Sequence, residues 1–139
     1  MNKTYLKLSL NFDFILLAIT ASLKDYVLCH HINTRLNFNF EKVADHQVYF
    51  NIDEPPLSFS KYFFYLEEGD NEYFIINNRN PEGFLIPEMN KVDFFMVIHQ
   101  YLDNEDLNYI LTGLRKLTDI QAAVRVDPIK LKSRENLII

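Results

Sequence analysis

Apolar residues in this chain recur mostly with a period of two and only twice with the period of a helix, which commits it to a sheet served by few helices. Leu6, Leu8, Leu10, Phe12 and Phe14 alternate with Lys7, Ser9, Asn11 and Asp13, predicting a half-buried strand at about 4–12. Residues 14–20 form a continuous apolar run and read as a buried strand. Short strands are expected at 38–43 and around Val48, Phe50 and Ile52, where Glu54-Pro55-Pro56 stops the run because proline cannot donate to a ladder. Strands at about 58–66 and 72–78 flank the polar loop Glu67-Glu68-Gly69-Asp70-Asn71 and make the clearest hairpin. After the turn Asn80-Pro81-Glu82-Gly83 come a short strand at Phe84-Leu85-Ile86, a strand from Val92 to about Tyr101, and a last one from Ile120 to Val126.

The first helix is expected at about 23–36, with Leu28, Ile32 and Leu36 on one face and Ser22 and Asp25 as a capping pair. Asp103 or Asn104 caps the second, whose Leu107, Ile110, Leu111, Leu114 and Leu117 form one stripe. Glu105 and Asp106 in its first turn and Arg115 and Lys116 in its last match the helix dipole. The order predicts an α+β fold: a two-layer sandwich of a mostly antiparallel sheet and two main helices, ferredoxin-like with an inserted β-meander. The closing strand–helix–strand is expected to cross between parallel neighbours. At 139 residues and 48% hydrophobic the chain fits one domain, placed at 1–128, with 129–139 as a flexible C-terminal tail.

Charge and cysteine content narrow the function classes. A net charge of −5 gives no basic field for nucleic acid, and Lys130, Lys132 and Arg134 read as a solvated tail. Lys3 and Lys7 ahead of Ile15–Ala21 imitate a secretory signal, but Asp13 interrupts the approach and the alternation favours a strand. No apolar run reaches the ~20 residues of a membrane span, so a soluble cytoplasmic protein is expected. Cys29 is the single cysteine and reads as a small buried hydrophobe. Adjacent His30 and His31 diverge on a helix, His99 falls at a sheet margin, and no ligand spacing appears, so neither metal nor cofactor is expected.

The segment Ile86-Pro87-Glu88-Met89-Asn90-Lys91-Val92-Asp93-Phe94-Phe95 sets two carboxylates at the mouth of an apolar run. It resembles the small bacterial family named for its signature, IPExxxVDY, with Phe94 where the signature has Tyr. Ser22, Asp25, Tyr26 and Asn33 stand at positions that resemble, more loosely, the family's amino-terminal half. The resemblance covers most of the chain and implies no activity, substrate or cofactor.

Two functional readings follow. In one, the chain is a non-catalytic protein-interaction or assembly module. Tyr62, Phe64 and Leu66 share one face of a strand and Tyr65 the other with Phe63, and two helices cover only one face of a six- or seven-stranded sheet. The candidate interface residues are therefore Tyr62, Phe64, Tyr65 and Leu66, with a second copy in a homodimer or another protein as partner. In the alternative, Glu88 and Asp93, with Asn77 and Arg79, line a cleft that binds a small ligand or performs acid–base chemistry. The bland counterparts are turn and strand-entry hydrogen bonds for the carboxylates and a turn for the Asn77-Asn78-Arg79-Asn80 quartet. No catalytic constellation is complete, and the interaction reading is preferred. Whether Glu88 and Asp93 share one pocket or are used up by backbone amides separates the alternatives.

Overall fold

A computed structural model describes residues 12–139, so most of the strand expected at 4–12 lies outside the described residues. The chain runs β1 (Ile15–Ala21), α1 (Asp25–Leu36), β2 (Glu41–Val48), β3 (Leu57–Leu66), β4 (Asn71–Asn77), β5 (Arg79–Asn80), β6 (Gly83–Phe84), β7 (Phe94–His99), α2 (Asn104–Arg115) and β8 (Ile120–Val126). The fold is α+β. Six strands form one antiparallel sheet in the order β2-β3-β4-β7-β1-β8, and β5 and β6 make a separate two-residue ladder.

Two crossovers define the topology. β7 and β8 are each antiparallel to β1, so α2 joins two parallel strands with β1 between them, where neighbours had been expected. β1 was free to enter that gap because it is apolar on both faces and is buried along nearly its whole length. The order β8-β1-β7-β4 is that of a ferredoxin-like sandwich, and the β2–β3 pair extends it at one edge.

Both helices pack on one face of this sheet. Leu28, Ile32 and Leu36 of α1 and Leu107, Ile110, Leu111 and Leu114 of α2 meet Leu17, Ile19, Tyr73, Ile75, Phe94 and Met96 in one core. Gly113 permits the helices to approach closely, since a Cβ there would meet Leu36 carbons at 3.0 and 3.1 Å. Asp103 caps α2 by accepting from the Asp106 N–H at 2.8 Å, as expected. α1 starts differently. Its N-cap is Lys24 rather than Ser22, the Asp25 carboxylate accepts from its neighbour Tyr26 N–H and from Ser60 Oγ, and Ser22 Oγ instead accepts from Gln121.

The opposite face is covered by the chain itself. Leu16, Ala18, Phe59, Ile76, Phe95 and Val97 pack beneath Leu85, Ile86 and Val92 and beneath Leu131 and Leu137 of the C-terminal segment. Residues 129–139, expected as a flexible tail, therefore belong to the packed body; two well-spaced leucines suffice to seat them without any helical or strand period. The expected strand around Val48–Ile52 is also absent. β2 is one strand that ends at Val48, paired with Leu57, and Phe50 and Ile52 fall in the loop beyond it. Each sheet edge carries a cation on an edge-strand carbonyl: Lys42 Nζ donates to Val43 O and Arg115 Nε to Ala123 O. Among the described residues no helix is long and apolar enough to cross a membrane.

Candidate functional site

The signature segment is organised by Asn78, which is fully buried. Its Nδ2 donates to Met89 O at 2.9 Å and Val92 O at 2.8 Å, while its Oδ1 accepts from Ile86 N–H at 2.8 Å. Its backbone adds bonds to Asp93 O and from Leu85 N–H. One amide thus supplies the partners that the irregular backbone of 85–93 would otherwise lack, which lets Ile86 and Val92 be buried there. Asn80 closes the preceding turn through Glu82 N–H and reaches Ser58 O. Of the polar quartet 77–80, Asn78 is thus scaffold and Asn80 turn.

Glu88 and Asp93 are parted by this fold. Glu88 accepts from Ser133 N–H and Ser133 Oγ, both at 2.7 Å, and so ties the C-terminal segment down. Partial burial works against its ionised form, but the Ser133 bonds prevail and hold its carboxyl below the usual range. Asp93 accepts from Ala21 N–H at 2.8 Å and from Arg79 Nε at 2.7 Å, joining β1 to the start of β7. Both carboxylates are engaged by backbone amides, and they do not line one cavity.

Three of the four cleft candidates do meet. Asn77, Arg79 and Asp93 line a shallow groove of about 340 Å³ together with Lys24, Asp25, Tyr26 and Phe94. Arg79 is held there by Asp93 and by the Phe84 ring, 5.3 Å from its guanidinium. Asn77 Oδ1 is the one buried side-chain acceptor without a partner among the described residues. The groove's two cations, Lys24 and Arg79, match its two carboxylates in number: Asp93 pairs with Arg79, and Asp25 accepts from Ser60 Oγ and Tyr26 N–H. Cys29 lies outside it, buried, its thiol pushed up to about 12 by that burial and by nearby Asp25, which leaves it inert. No group of three His, Cys, Asp or Glu side chains among the described residues can hold a metal ion.

The interface candidates divide by face. Tyr62 is buried, and Phe64 and Leu66 pack on the helix-side core, with Phe64 stacked on Phe38 and Tyr73 at 5.0 and 5.5 Å. These three are internal, because the strand turned that side toward the helices. Only Tyr65 is exposed, with its hydroxyl donated to Asp70 at 2.6 Å. An apolar-walled concavity lies elsewhere: about 540 Å³ between the β2–β3 loop and the β5–β6 hairpin, walled by Phe50, Pro55, Pro56, Phe84 and Pro87 and edged by Glu54 and Glu82. Sequence reasoning missed it, since it joins segments about thirty residues apart; two prolines beside a stranded Phe50 were the only local signal. Comparison with models of protein families, with curated proteins and with solved structures finds no match.

Proposed function

We propose that the chain is a non-catalytic protein-interaction module that receives an apolar, basic peptide segment in the groove between the β2–β3 loop and the β5–β6 hairpin. The observation that carries this is the loop itself, where Tyr49, Phe50 and Ile52 are 66%, 47% and 92% exposed within four positions. Single exposed apolar residues are ordinary, but a cluster beside an aromatic and proline-walled groove is the usual composition of a binding surface. Asp53, Glu54 and Glu82 stand on the same loop and hairpin without a cation in ion-pair range among the described residues. Their charge favours Lys or Arg flanking the apolar anchors of the partner. The Glu88 and Asp93 bonds support the same reading from the negative side, since they leave no acid–base pair in a cleft. The IPExxxVDY resemblance adds a family but no activity.

Selection from a displayed random-peptide library tests the proposal. Enriched peptides should carry large apolar residues flanked by Lys or Arg, and Phe50→Asp should weaken them at least about tenfold, with Glu54→Lys/Glu82→Lys acting alike. Equal enrichment on wild type and Phe50→Asp would overturn it. Sedimentation at micromolar concentration reports whether a second copy of the chain fills the groove.

A further inference from the structure

We infer that the pocket between the tip of the β3–β4 hairpin and the first turns of α2 binds a small organic cation: an ammonium group carried on an aromatic or aliphatic body. The pocket is about 380 Å³, within the range of small-molecule sites, and lies on the helix side of the sheet. Phe38, Leu66, Leu102 and Ile110 give it apolar walls. Local periodicity brings its polar groups together. Asp106, Tyr109 and Ile110 stand at i, i+3 and i+4 on α2, and Asn71 and Tyr73 at i and i+2 on β4, so each set shares one face. The hairpin tip that carries Glu68 and Gly69 is fixed by Asp70, whose N–H donates to Glu67 O at 3.2 Å and whose carboxylate accepts from Tyr65 Oη at 2.6 Å.

Two of the lining side chains are buried yet incompletely bonded. Tyr73 is 1% exposed, with its ring packed on Phe38 at 5.1 Å and on Phe64 at 5.5 Å, and its hydroxyl forms no hydrogen bond among the described residues. Asn71 is 2% exposed; its Nδ2 donates to His99 O and Tyr101 O at 3.4 and 3.3 Å, and its Oδ1 has no donor among the described residues. Asn77 Oδ1 is the one unpartnered side-chain atom closed off from solvent there, so the Tyr73 hydroxyl and Asn71 Oδ1 stay open to the pocket that both residues line. Gly69 makes room for the Asn71 carbonyl, since any Cβ at that position would collide with Oδ1. Burial, with Asp106 nearby adding to it, pushes the Tyr73 hydroxyl up to about 12, and it stays protonated near neutral pH.

Charge in this lining has one sign. Glu68 and Asp106 belong to it, and no Lys, Arg or His does. The positive end of α2, worth about half a charge, works the other way but is outweighed by the full carboxylates of Asp103, Glu105 and Asp106 around it. An anion would therefore be repelled. Asn71 Oδ1 and both carboxylates can only accept, and the Tyr73 hydroxyl can accept as well as donate. An ammonium supplies the donors and the charge that such a set lacks, its apolar body fills the walls, and the rings of Phe38 and Tyr109 add cation–π attraction. A bare metal ion is the poorer occupant, because no three His, Cys, Asp or Glu side chains among the described residues converge on one point.

The test is a titration of the full-length ¹⁵N-labelled chain with phenethylamine and cyclohexylmethylamine, alongside phenethyl alcohol and phenylpropionate as neutral and anionic bodies of similar shape. At least one amine should produce saturable shifts at Gly69, Asn71 and Asp106 with a dissociation constant of about 1 mM or tighter, and both controls should bind at least about tenfold more weakly. Asp106→Asn removes one charge at nearly constant shape, and Tyr73→Phe removes the hydroxyl while keeping the ring packing. Each should weaken the amine by about fivefold or more, with thermal melts confirming that both variants are folded. Absence of saturable shifts for both amines up to about 10 mM would overturn the inference. So would shifts centred on Phe50 and Glu82, which would place the amine in the other acidic groove. Either control matching the amine would mark a plain apolar pocket and overturn it too, as would unchanged affinity in either folded variant.

Discussion

Asn78 and Asn77 are adjacent, yet the fold treats them in opposite ways. Asn78 bonds three backbone groups of the 85–93 segment from a fully buried position, so Asn78→Ala strands the Val92 carbonyl and the Ile86 amide and leaves the Met89 carbonyl with the Val92 N–H alone. The expected loss is about 3–5 kcal/mol, read from denaturant midpoints, since each buried group left unpaired costs about 1–3 kcal/mol and some relaxation is available. A loss under about 1 kcal/mol would show that the amide is not what holds the segment. Asn77 presents the complementary case. Its Oδ1 is buried without a partner among the described residues, and Phe94 is its register partner across β4 and β7. Phe94→Tyr adds a hydroxyl on the residue opposite the orphaned acceptor. The variant should gain about 0.5–1.5 kcal/mol in a urea titration. A loss would mean that the hydroxyl has been buried away from Asn77.

Elements whose signals are local were legible in the sequence. α2 shows its stripe, its Asp103 cap and its end charges within fourteen residues, and β3 and β4 pair across a loop that announces itself by composition. Elements decided by distant partners were not. Val48, Phe50 and Ile52 carry a strand's alternation, but the ladder closes at Val48–Leu57 because Pro55 and Pro56 follow, and the alternation runs on into solvent. The C-terminal segment has no period at all; Leu131 and Leu137 become core only because the second sheet face needs cover. Of the candidate site, the grouping of Asn77, Arg79 and Asp93 could be anticipated, while Glu88 could not be assigned without knowing that Ser133 returns to it. The helix–helix contact is another non-local fact, visible in the sequence only as a glycine inside a helix. Gly113→Ala should improve helix propensity by about 1 kcal/mol. Its Cβ would nonetheless crowd Leu36 at 3.0–3.1 Å, and Leu36 is itself buried and has little room to move. The expected net effect is a loss of about 1 kcal/mol. A rise in melting temperature would show that α1 yields, and that the helix packing is looser than its geometry.

At the scale of the whole molecule, the cover over the second sheet face is fastened by groups that titrate. His46 Nε2 lies 2.6 Å from Asn136 O, Glu88 holds Ser133, and Asn136 Nδ2 donates to Leu85 O. Burial lowers the pKa of His46 despite the Asn136 carbonyl, with Lys61 adding to the effect, and burial likewise lowers that of His99 despite Glu72. Above the ordinary histidine value of 6.5 both rings are neutral whether the chain is folded or not, and their contribution is complete. Below it the unfolded chain takes up protons that the folded chain resists, so stability falls with pH until the lowered folded values are passed. Glu88 acts in the same direction at lower pH: its carboxyl is held below the ordinary value of 4.5, so the stability it contributes is present above that value and is lost as the pH falls through the folded one. Urea midpoints should therefore decline in two stages on acidification, a histidine stage beginning near 6.5 and a carboxylate stage beginning near 4.5. His46→Gln with His99→Phe should flatten the first stage and leave the second. Glu88→Gln should flatten the second, lower stability at neutral pH, and make the C-terminal amides around Ser133 exchange faster with solvent while those of α2 keep their protection. If Glu88→Gln instead loosened α2 and the C-terminal segment equally, the segment would be part of one cooperative core rather than a cover fastened onto it.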